Sequence, residues 1–476
     1  MSDFESYQQA RLSHWDTVAR QMDTSASWGR TYHQQLARIF KFLVPPGQRV
    51  LEIGCGRGDL LATLKPADGL GVDFSPQMLE RARQRHPELK FILADAHDLS
   101  SLDGLFDFIL ISDLANDVWD VQTVLEQLIQ ISHPRTRLII NSYSRLWELP
   151  LSITESLGVA KPTLRQNWLA PQDIINLLGL ARFEVIRHWS EILFPLDVPL
   201  VSNFLNRYLV RVWPFNELAL TSFFLARSKI SPNPVIRQPL VSVIIPARNE
   251  AGNIPQIFTR LPEMGAGTEL VFVEGHSQDD TYSVIEHQIA AHPERQCQLH
   301  RQTGIGKGDA VRLGFDHATG DVVMIFDADL TVPFEELPRF FKALNTEQGE
   351  FINGVRLVYP MEDNAMRFIN LWGNKLFSLV FSWLLGQSIK DTLCGTKALW
   401  KTDYDMIADN RSYFGDFDPF GDYDLIFGAA KLGLKIVDLP IHYRARTYGT
   451  TNIQRWKHGW LLMRMVVFAA GKIKFI

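Results

Sequence analysis

The run Val322–Phe326, VVMIF, is apolar at every position and is cut off by two carboxylates, Asp327 and Asp329, two positions apart. A short segment with no polar face reads as a strand buried on both sides, and that demands a layer of structure above and below it. At an extended strand end, residues two apart point to the same side, so the pair can converge on one hard cation, Mg²⁺ or Mn²⁺. An acidic pair after a strand serves equally well as a helix cap or a solvated turn.

Similar segments precede it. LVSVIIPARNEAGNI (Leu240 to Ile254) is a β-branched run ending in Pro246, Arg248, Asn249 and Glu250, and ELVFVEGHSQDDT ends its run at Glu274. TGIGKGDAVRLGF then sets Lys307 between Gly306 and Gly308, where the absent side chains let backbone approach a ligand. In this order the segments resemble the family 2 inverting nucleotide-sugar glycosyltransferases, especially the polyprenyl-phosphate branch typified by dolichyl-phosphate mannosyltransferase, over roughly Pro239 to Ile476. The resemblance implies a glycosyltransferase A-type α/β domain in which Pro246, Arg248, Asn249, Glu250 and Glu274 hold the nucleoside. It counts Lys307, which supplies charge beside the glycines, among the substrate-binding residues, and places Arg356 with Asn353 and Gly354 on the donor-sugar side and the metal diphosphate on Asp327 and Asp329. Glu274 stands where the family usually has aspartate, and Asp280 where it has glycine, which bears on base specificity.

The first half carries a different signature. RVLEIGCGRGDLL runs a buried strand into Glu52 and then a tight turn at Gly54, Gly56 and Gly58, and GLGVDFS places Asp73 at the end of the next strand. A glycine turn followed by an acidic strand end suits a bound nucleoside, NAD or any adenosyl ligand alike. With DFSPQMLERAR, LKFILADAHDL and FDFILISDL, the stretch from about Gly47 to Arg227 resembles the class I S-adenosylmethionine-dependent methyltransferases. That implies a Rossmann-like seven-stranded sheet whose last strands form an antiparallel hairpin. It also implies S-adenosylmethionine as cofactor, with Glu52, Gly54, Gly56 and Gly58 around its methionine part, Asp73 at the ribose, and Asp95 with Ala96 at the adenine. His97, His133, Tyr143 and His188 could each lie near an acceptor, but a lone His or Tyr is more often structural, and none is assigned. Methyl transfer from a sulfonium can proceed by positioning alone, so no particular acid or base need appear.

Between the halves, SKISPNPVIRQPL has three prolines in thirteen residues and reads as a semi-rigid connector. The expected organisation is a methyltransferase domain over 1–229, a linker over 230–240, a glycosyltransferase domain over 241–453, and a basic amphipathic segment over 454–476. After Asp438 the chain has no acidic residue, while Arg455, Lys457, Arg464, Lys472 and Lys474 interleave with Trp456, Trp460, Leu462 and Val467. Such a segment suits the interface of an anionic membrane, as does Met366 to Leu385; both suit packing on protein equally. The longest nearly apolar runs, Leu376 to Gly386 and Trp460 to Gly471, each fall well short of the roughly 20 residues of a spanning helix. A polar start, three widely spaced cysteines and a net charge of −5 point to a cytoplasmic chain, peripheral to the membrane, with no nucleic-acid partner.

The acceptor decides what the late charged residues do. A hydroxyl acceptor needs a general base, for which Asp422 or Asp424 is the candidate. A polyprenyl phosphate is already ionised and needs cations, for which Arg444 and Arg446 are placed. The reading is a bifunctional transferase moving a hexose from a nucleoside diphosphate sugar to a polyprenyl phosphate. The alternative is a soluble glycosyltransferase acting on a hydroxyl, its N-terminal domain a non-catalytic binding module.

Overall fold

The computed structural model describes residues 3–21, 28–156, 164, 166–229, 238–356, 358, 368–415, 421–444, 446, 448 and 455–475. The chain divides into two compact units, Met1–Ser231 and Pro232–Lys474. Most of the expected connector, residues 230–237, lies outside the described residues.

The first unit is a seven-stranded sheet of β1 (Arg49–Ile53), β2 (Asp68–Asp73), β3 (Lys90–Leu93), β4 (Phe106–Ser112), β5 (Ser132–Tyr143), β6 (Phe183–Glu191) and β7 (Thr221–Ser228). Their order is β3-β2-β1-β4-β5-β7-β6, with β7 inserted antiparallel between β5 and β6. Alternation along the strands feeds two cores: Leu51, Ile53, Ile109 and Ile111 face one, Val50, Phe108 and Leu110 the other. Helices must therefore cover both faces, and the parallel half places the ends of β1, β2, β3 and β4 along one edge.

The second unit repeats the principle with β8 (Leu240–Ala247), β9 (Gly267–Glu274), β10 (Gln296–Arg301), β11 (Val322–Ile325), β12 (Phe351–Val355), β13 (Lys397–Trp400) and β14 (Ile436–Pro440). Their order is β10-β9-β8-β11-β13-β12-β14, and β13 alone runs against its neighbours. Val241, Val243 and Ile245 enter one core and Ile244 the other, as full burial requires. Pro246 lacks an N–H, and β8 tolerates it because pairing with β11 stops at Ile244–Ile325.

One expectation is corrected. Asp327 and Asp329 do not lie on an extended strand end: β11 stops at Ile325 and the chain turns at once, with the Leu330 N–H donating to the Asp327 carbonyl at 3.4 Å and Leu330 at φ 55°. The two carboxylates consequently face different partners.

The buried Glu269 pins the second sheet. It accepts from the Ser242 hydroxyl, from Gln298 Nε2 at 2.6 Å, and from the Thr319 N–H and hydroxyl, both at 3.0 Å. Glu269→Ala strands these donors and is expected to destabilise the unit by about 3 kcal/mol. Urea unfolding followed by tryptophan fluorescence checks this.

Candidate active sites

In the second unit the loops after β8 and β9 brace each other. Asn249, at φ 57°, accepts from the Gln278 N–H at 2.7 Å and donates its own N–H to Ser277 Oγ at 3.0 Å. Glu274, the last residue of β9, accepts from the Ser277 N–H at 2.5 Å, so its carboxylate shapes this turn. Glu250 is buried, accepts from Asn253 Nδ2 at 2.8 Å and meets Arg446 at 3.4 Å. Burial pushes its carboxyl up to about 7; Arg446 opposes the rise and Asp329 adds to it. Pro246 is half-buried and Arg248 exposed beside this turn.

The charged centre lies at the end of β11. Lys307 opens the helix Lys307–His317 and reaches Asp327 Oδ1 at 2.5 Å. Burial would raise the Asp327 carboxyl, but Lys307, with Lys397 and Arg356 further off, holds it below the usual range. Burial would likewise lower the Lys307 ammonium, and Asp327, then Asp422, raise it instead. Lys397, wholly buried, donates to Asp422 Oδ1 at 2.7 Å and to the Cys394 carbonyl. The sequence Lys397, Asp422, Lys307, Asp327 thus alternates in sign. A Cβ at Gly395 would lie 2.1 Å from Asp327 Oδ2 and 2.2 Å from Lys307 Nζ, so only glycine lets this backbone approach. Asp329 accepts from the Thr331 N–H at 3.1 Å and hydroxyl at 2.8 Å, and pairs with Arg446 at 2.6 Å.

Several expected residues stand elsewhere. Asp424 is bound by Arg411 at 2.8 Å, apart from the Lys307 group, so the two candidate bases do not share one location. Arg356 forks onto Asp391 through bonds of 2.7 and 2.9 Å, while still within electrostatic reach of Asp327. The Arg444 guanidinium is exposed within reach of Glu335, and its N–H donates to the Thr331 carbonyl at 2.8 Å. Asp327 and Asp329 thus each carry a cationic partner, Lys307 and Arg446. Among the described residues no third His, Cys, Asp or Glu joins them.

In the first unit the glycine turn follows β1. Gly54, Gly56 and Gly58 lie at φ 71°, 52° and 72°, and no atom lies within 4 Å of where a Gly56 side chain would begin. The turn therefore opens onto free space, as a bound adenosyl group requires. Glu52 is buried and accepts the Leu61 N–H at 3.1 Å; burial pushes its carboxyl up to about 8 against that bond. Asp73 accepts from the Gly56 N–H at 2.8 Å and the Ser75 N–H at 2.9 Å, fixing the turn while its remaining lone pairs stay open to hydroxyls. Asp95 accepts from His97 Nδ1 at 2.6 Å and Gln8 at 2.5 Å, and these outweigh burial and bring its carboxyl to about 2. Ala96 packs half-buried next to it.

The helix Asp3–Gln21, expected only to pack, links these loops. Gln8 holds Asp95, Asp16 accepts from Ser75 Oγ at 2.5 Å, and Arg11 and Trp15 hold Asp117 at 3.1 and 2.9 Å.

The sequence model of "Glycosyl transferase family 2" matches residues 242–405 and that of "Methyltransferase domain" matches residues 45–176. The chain is a transferase that joins a methyltransferase domain to a family 2 glycosyltransferase domain. It is 28% identical over 226 residues to Glycosyltransferase AglJ of Haloferax volcanii, covering 47% of this chain and 69% of that one. It is 28% identical over 182 residues to undecaprenyl-phosphate 4-deoxy-4-formamido-L-arabinose transferase of Pseudomonas syringae, covering 37% of this chain and spanning 51% of the relative's length. Glucosyl-3-phosphoglycerate synthase of Mycobacterium tuberculosis, solved with Mn²⁺ and UDP, aligns at 19% identity and a TM-score of 0.37, over 50% of this chain and 81% of that one. A superposition that loose fixes no residue correspondence.

Sequence reasoning missed Asp391, which anchors Arg356 in the glycosyltransferase unit, and Asp113 at the end of β4 in the methyltransferase unit. The rule that singled out Asp73, a carboxylate ending an apolar strand, also finds Asp113. In the glycosyltransferase unit, Gly395→Ala is expected to cut glycosyl transfer by at least ~10²-fold, because it displaces Asp327 and Lys307 and so misplaces the charges gathered at the end of β11. Circular dichroism should remain that of the wild type.

Proposed function

We propose that the glycosyltransferase unit moves a hexose from a nucleoside diphosphate sugar to a polyprenyl phosphate, and that the methyltransferase unit uses S-adenosylmethionine. The proposed domain limits are 1–229 and 241–453. The observation that carries the first part is the charge alternation around Lys307. Asp422 is engaged by the buried Lys397 and Asp424 by Arg411, so neither proposed base stands free of a cation. Cation-rich surroundings suit an acceptor that arrives ionised, and the relative named for undecaprenyl phosphate supports that choice. The hydroxyl-acceptor alternative would need one of these carboxylates released.

Asp327 and Asp329 would hold Mg²⁺ or Mn²⁺, which offsets charge on the departing diphosphate. Lys307 and Arg446, now paired to those carboxylates, would turn to phosphate oxygens once the cation takes their place. Glu250, Asn249, Arg248, Pro246 and Glu274 would line the nucleoside, Arg356 the sugar side, and Arg444 with Arg446 the lipid phosphate. In the other unit, the Gly54–Gly58 turn with Glu52 would hold the methionine part, Asp73 the ribose, and Asp95 and Ala96 the adenine.

The proposed place of work is a membrane surface on the cytoplasmic side, in line with three unpaired cysteines. Two helices of the glycosyltransferase unit are apolar on two faces. In Phe368–Leu385, Phe381, Leu384 and Leu385 are buried while Leu376, Leu379 and Trp383 are exposed. In Arg455–Ala469, Leu462, Met465 and Ala469 are buried while Trp460, Met463 and Val467 are exposed. Lys474 lies over the Trp383 ring at 4.9 Å, so charge borders the exposed face. No described helix is long and apolar enough to cross a membrane. The exposed rows fit a helix lying in the interface.

Incubating the protein with Mg²⁺, radiolabelled GDP- and UDP-hexoses and a short polyprenyl phosphate is expected to send label into the lipid phase. Asp329→Ala should lower that transfer about 10²–10³-fold, as should chelating the cation. Label confined to water-soluble product would support the hydroxyl-acceptor reading. Separately, Leu379→Asp with Val467→Asp should abolish sedimentation with anionic vesicles while leaving the melting temperature unchanged.

A further inference from the structure

A polar cluster at the end of β4 takes no part in holding the cofactor as described above. Asp113 directly follows β4 with φ 56°, a backbone conformation that non-glycine residues seldom adopt and that clusters at functional sites. Tyr32, from the helix Trp28–Leu43, donates its hydroxyl to Asp113 Oδ1 at 2.7 Å. Asn141, on β5, donates Nδ2 to the same oxygen at 2.5 Å. Tyr143, two positions further along β5, stacks on Tyr32 at 5.8 Å between ring centroids. Asn141 is wholly buried, and its Oδ1 has no hydrogen-bond partner among the described residues. A buried acceptor left open is costly unless something donates to it.

The cluster flanks the glycine turn. β1 and β4 are neighbours paired through Ile53 and Ile111, so Gly54 and Asp113 leave adjacent strand ends. A Cβ at Gly54 would lie 3.1 Å from the Leu114 side chain, the residue after Asp113.

The charged and titratable groups facing Asp113 are Tyr32 and His33 from the helix and Tyr143 from β5, with Asn141 neutral. Among the described residues no lysine or arginine is one of them, so an anionic acceptor would meet no counter-charge from these groups. The free capacity is acceptor-like, on Asn141 Oδ1 and the second Asp113 oxygen, and calls for a substrate that donates hydrogen bonds. Burial raises the Asp113 carboxyl, while Tyr32, His33 and Asn141 hold it down.

We infer that Asp113, Tyr32, Asn141 and Tyr143 form the methyl-acceptor site of the first unit, that the acceptor is a hydroxyl, and that Asp113 takes its proton. This rests on the methyltransferase reading and deepens it. The acceptor oxygen forms a bond to the methyl carbon of S-adenosylmethionine, and the carbon–sulfur pair departs to sulfur as S-adenosylhomocysteine. The hydroxyl proton passes to Asp113 and from there to water. A hydroxyl oxygen cannot keep its proton as it becomes an ether, whereas an amine can leave as a methylammonium. A carboxylate beside the hydroxyl speeds that proton loss, which positioning alone leaves to solvent, so a base in the site fits hydroxyl chemistry in particular.

The test supplies the full-length protein with S-adenosylmethionine bearing a deuterated methyl group and a panel of hydroxyl compounds. The panel holds methyl hexosides, nucleoside diphosphate hexoses, a short polyprenyl phosphate hexose and a long-chain alcohol. Mass spectrometry is expected to find a deuteromethyl ether, and which member carries it separates sugar from lipid hydroxyls. Asp113→Asn should lower turnover by ~10²–10⁴-fold. Its S-adenosylhomocysteine affinity, read by calorimetry, should stay near the wild-type value. The wild-type rate should rise with pH until Asp113 ionises. Tyr32→Phe, which removes a bond that lowers the carboxyl's pKa, should move that rise to higher pH; it carries the test if Asp113→Asn does not fold. Full turnover in Asp113→Asn, label on nitrogen or phosphate, or no labelled hydroxyl from a protein that binds S-adenosylhomocysteine would each overturn the assignment. Failure to bind S-adenosylhomocysteine is a distinct result, which removes the methyltransferase reading and this site with it.

Discussion

The contact between Lys307 and Asp327 at 2.5 Å is the constraint around which the glycosyltransferase unit is built. A partly buried carboxylate next to a sheet's interior needs a cation, and that cation needs more than one carboxylate if it is not simply to be neutralised there. Asp422 supplies the second negative charge, and Lys397 in turn compensates Asp422. Each member comes from a different part of the chain: a helix start, the end of β11, the start of β13 and the residue preceding the helix Tyr423–Lys431. Gly395 closes the arrangement because the backbone entering β13 must pass within side-chain distance of both Lys307 and Asp327. Burial and pairing here are one problem, and the fold solves it by bringing four segments to one point.

What the sequence made legible follows from periodicity and position. Strands buried on both faces read as unbroken apolar runs, and the residue that interrupts each run falls at the sheet's carboxyl edge. Thus Glu52, Asp73, Glu274 and Asp327 could be named before any coordinates. The turn at Asp327–Leu330 could not, because a left-handed Leu330 leaves no compositional trace. Asp424 looked equivalent to Asp422, two positions away, yet Arg411 draws it elsewhere, and that partner lies in a region with no motif of its own. Asp391 and Glu269 were hidden for a related reason. Each is a charged residue whose partners are distant in sequence: Arg356 for the first, and Ser242, Gln298 and Thr319 for the second.

The two units apply the same geometry to opposite charges. Both gather functional groups where parallel strands end, since there the backbone N–H groups of the following turns are free to orient ligands or carboxylates. In the methyltransferase unit that edge presents Glu52, Asp73, Asp95, Asp113 and Asp117, and the arginines beside it are themselves paired, Arg11 with Asp117 and Arg57 with Asp59, both at 3.1 Å. In the glycosyltransferase unit the edge carries Lys307, Lys397, Arg356 and Arg446 as well as carboxylates, each cation already paired.

That difference matches what each site is proposed to receive. S-adenosylmethionine brings a positive sulfonium, which an edge richer in carboxyl groups than in cations would favour. A nucleoside diphosphate brings negative charge, and a lipid phosphate would bring more, so the second edge must hold cations in reserve. Pairing Lys307 with Asp327 and Arg446 with Asp329 would keep those two cations placed before the anions arrive, and a divalent ion binding the same two carboxylates would free them. On the proposed function, the pairing would be a preorganised exchange rather than a closed salt bridge: the charge that stabilises the fold beforehand would be the charge that meets the diphosphate afterwards.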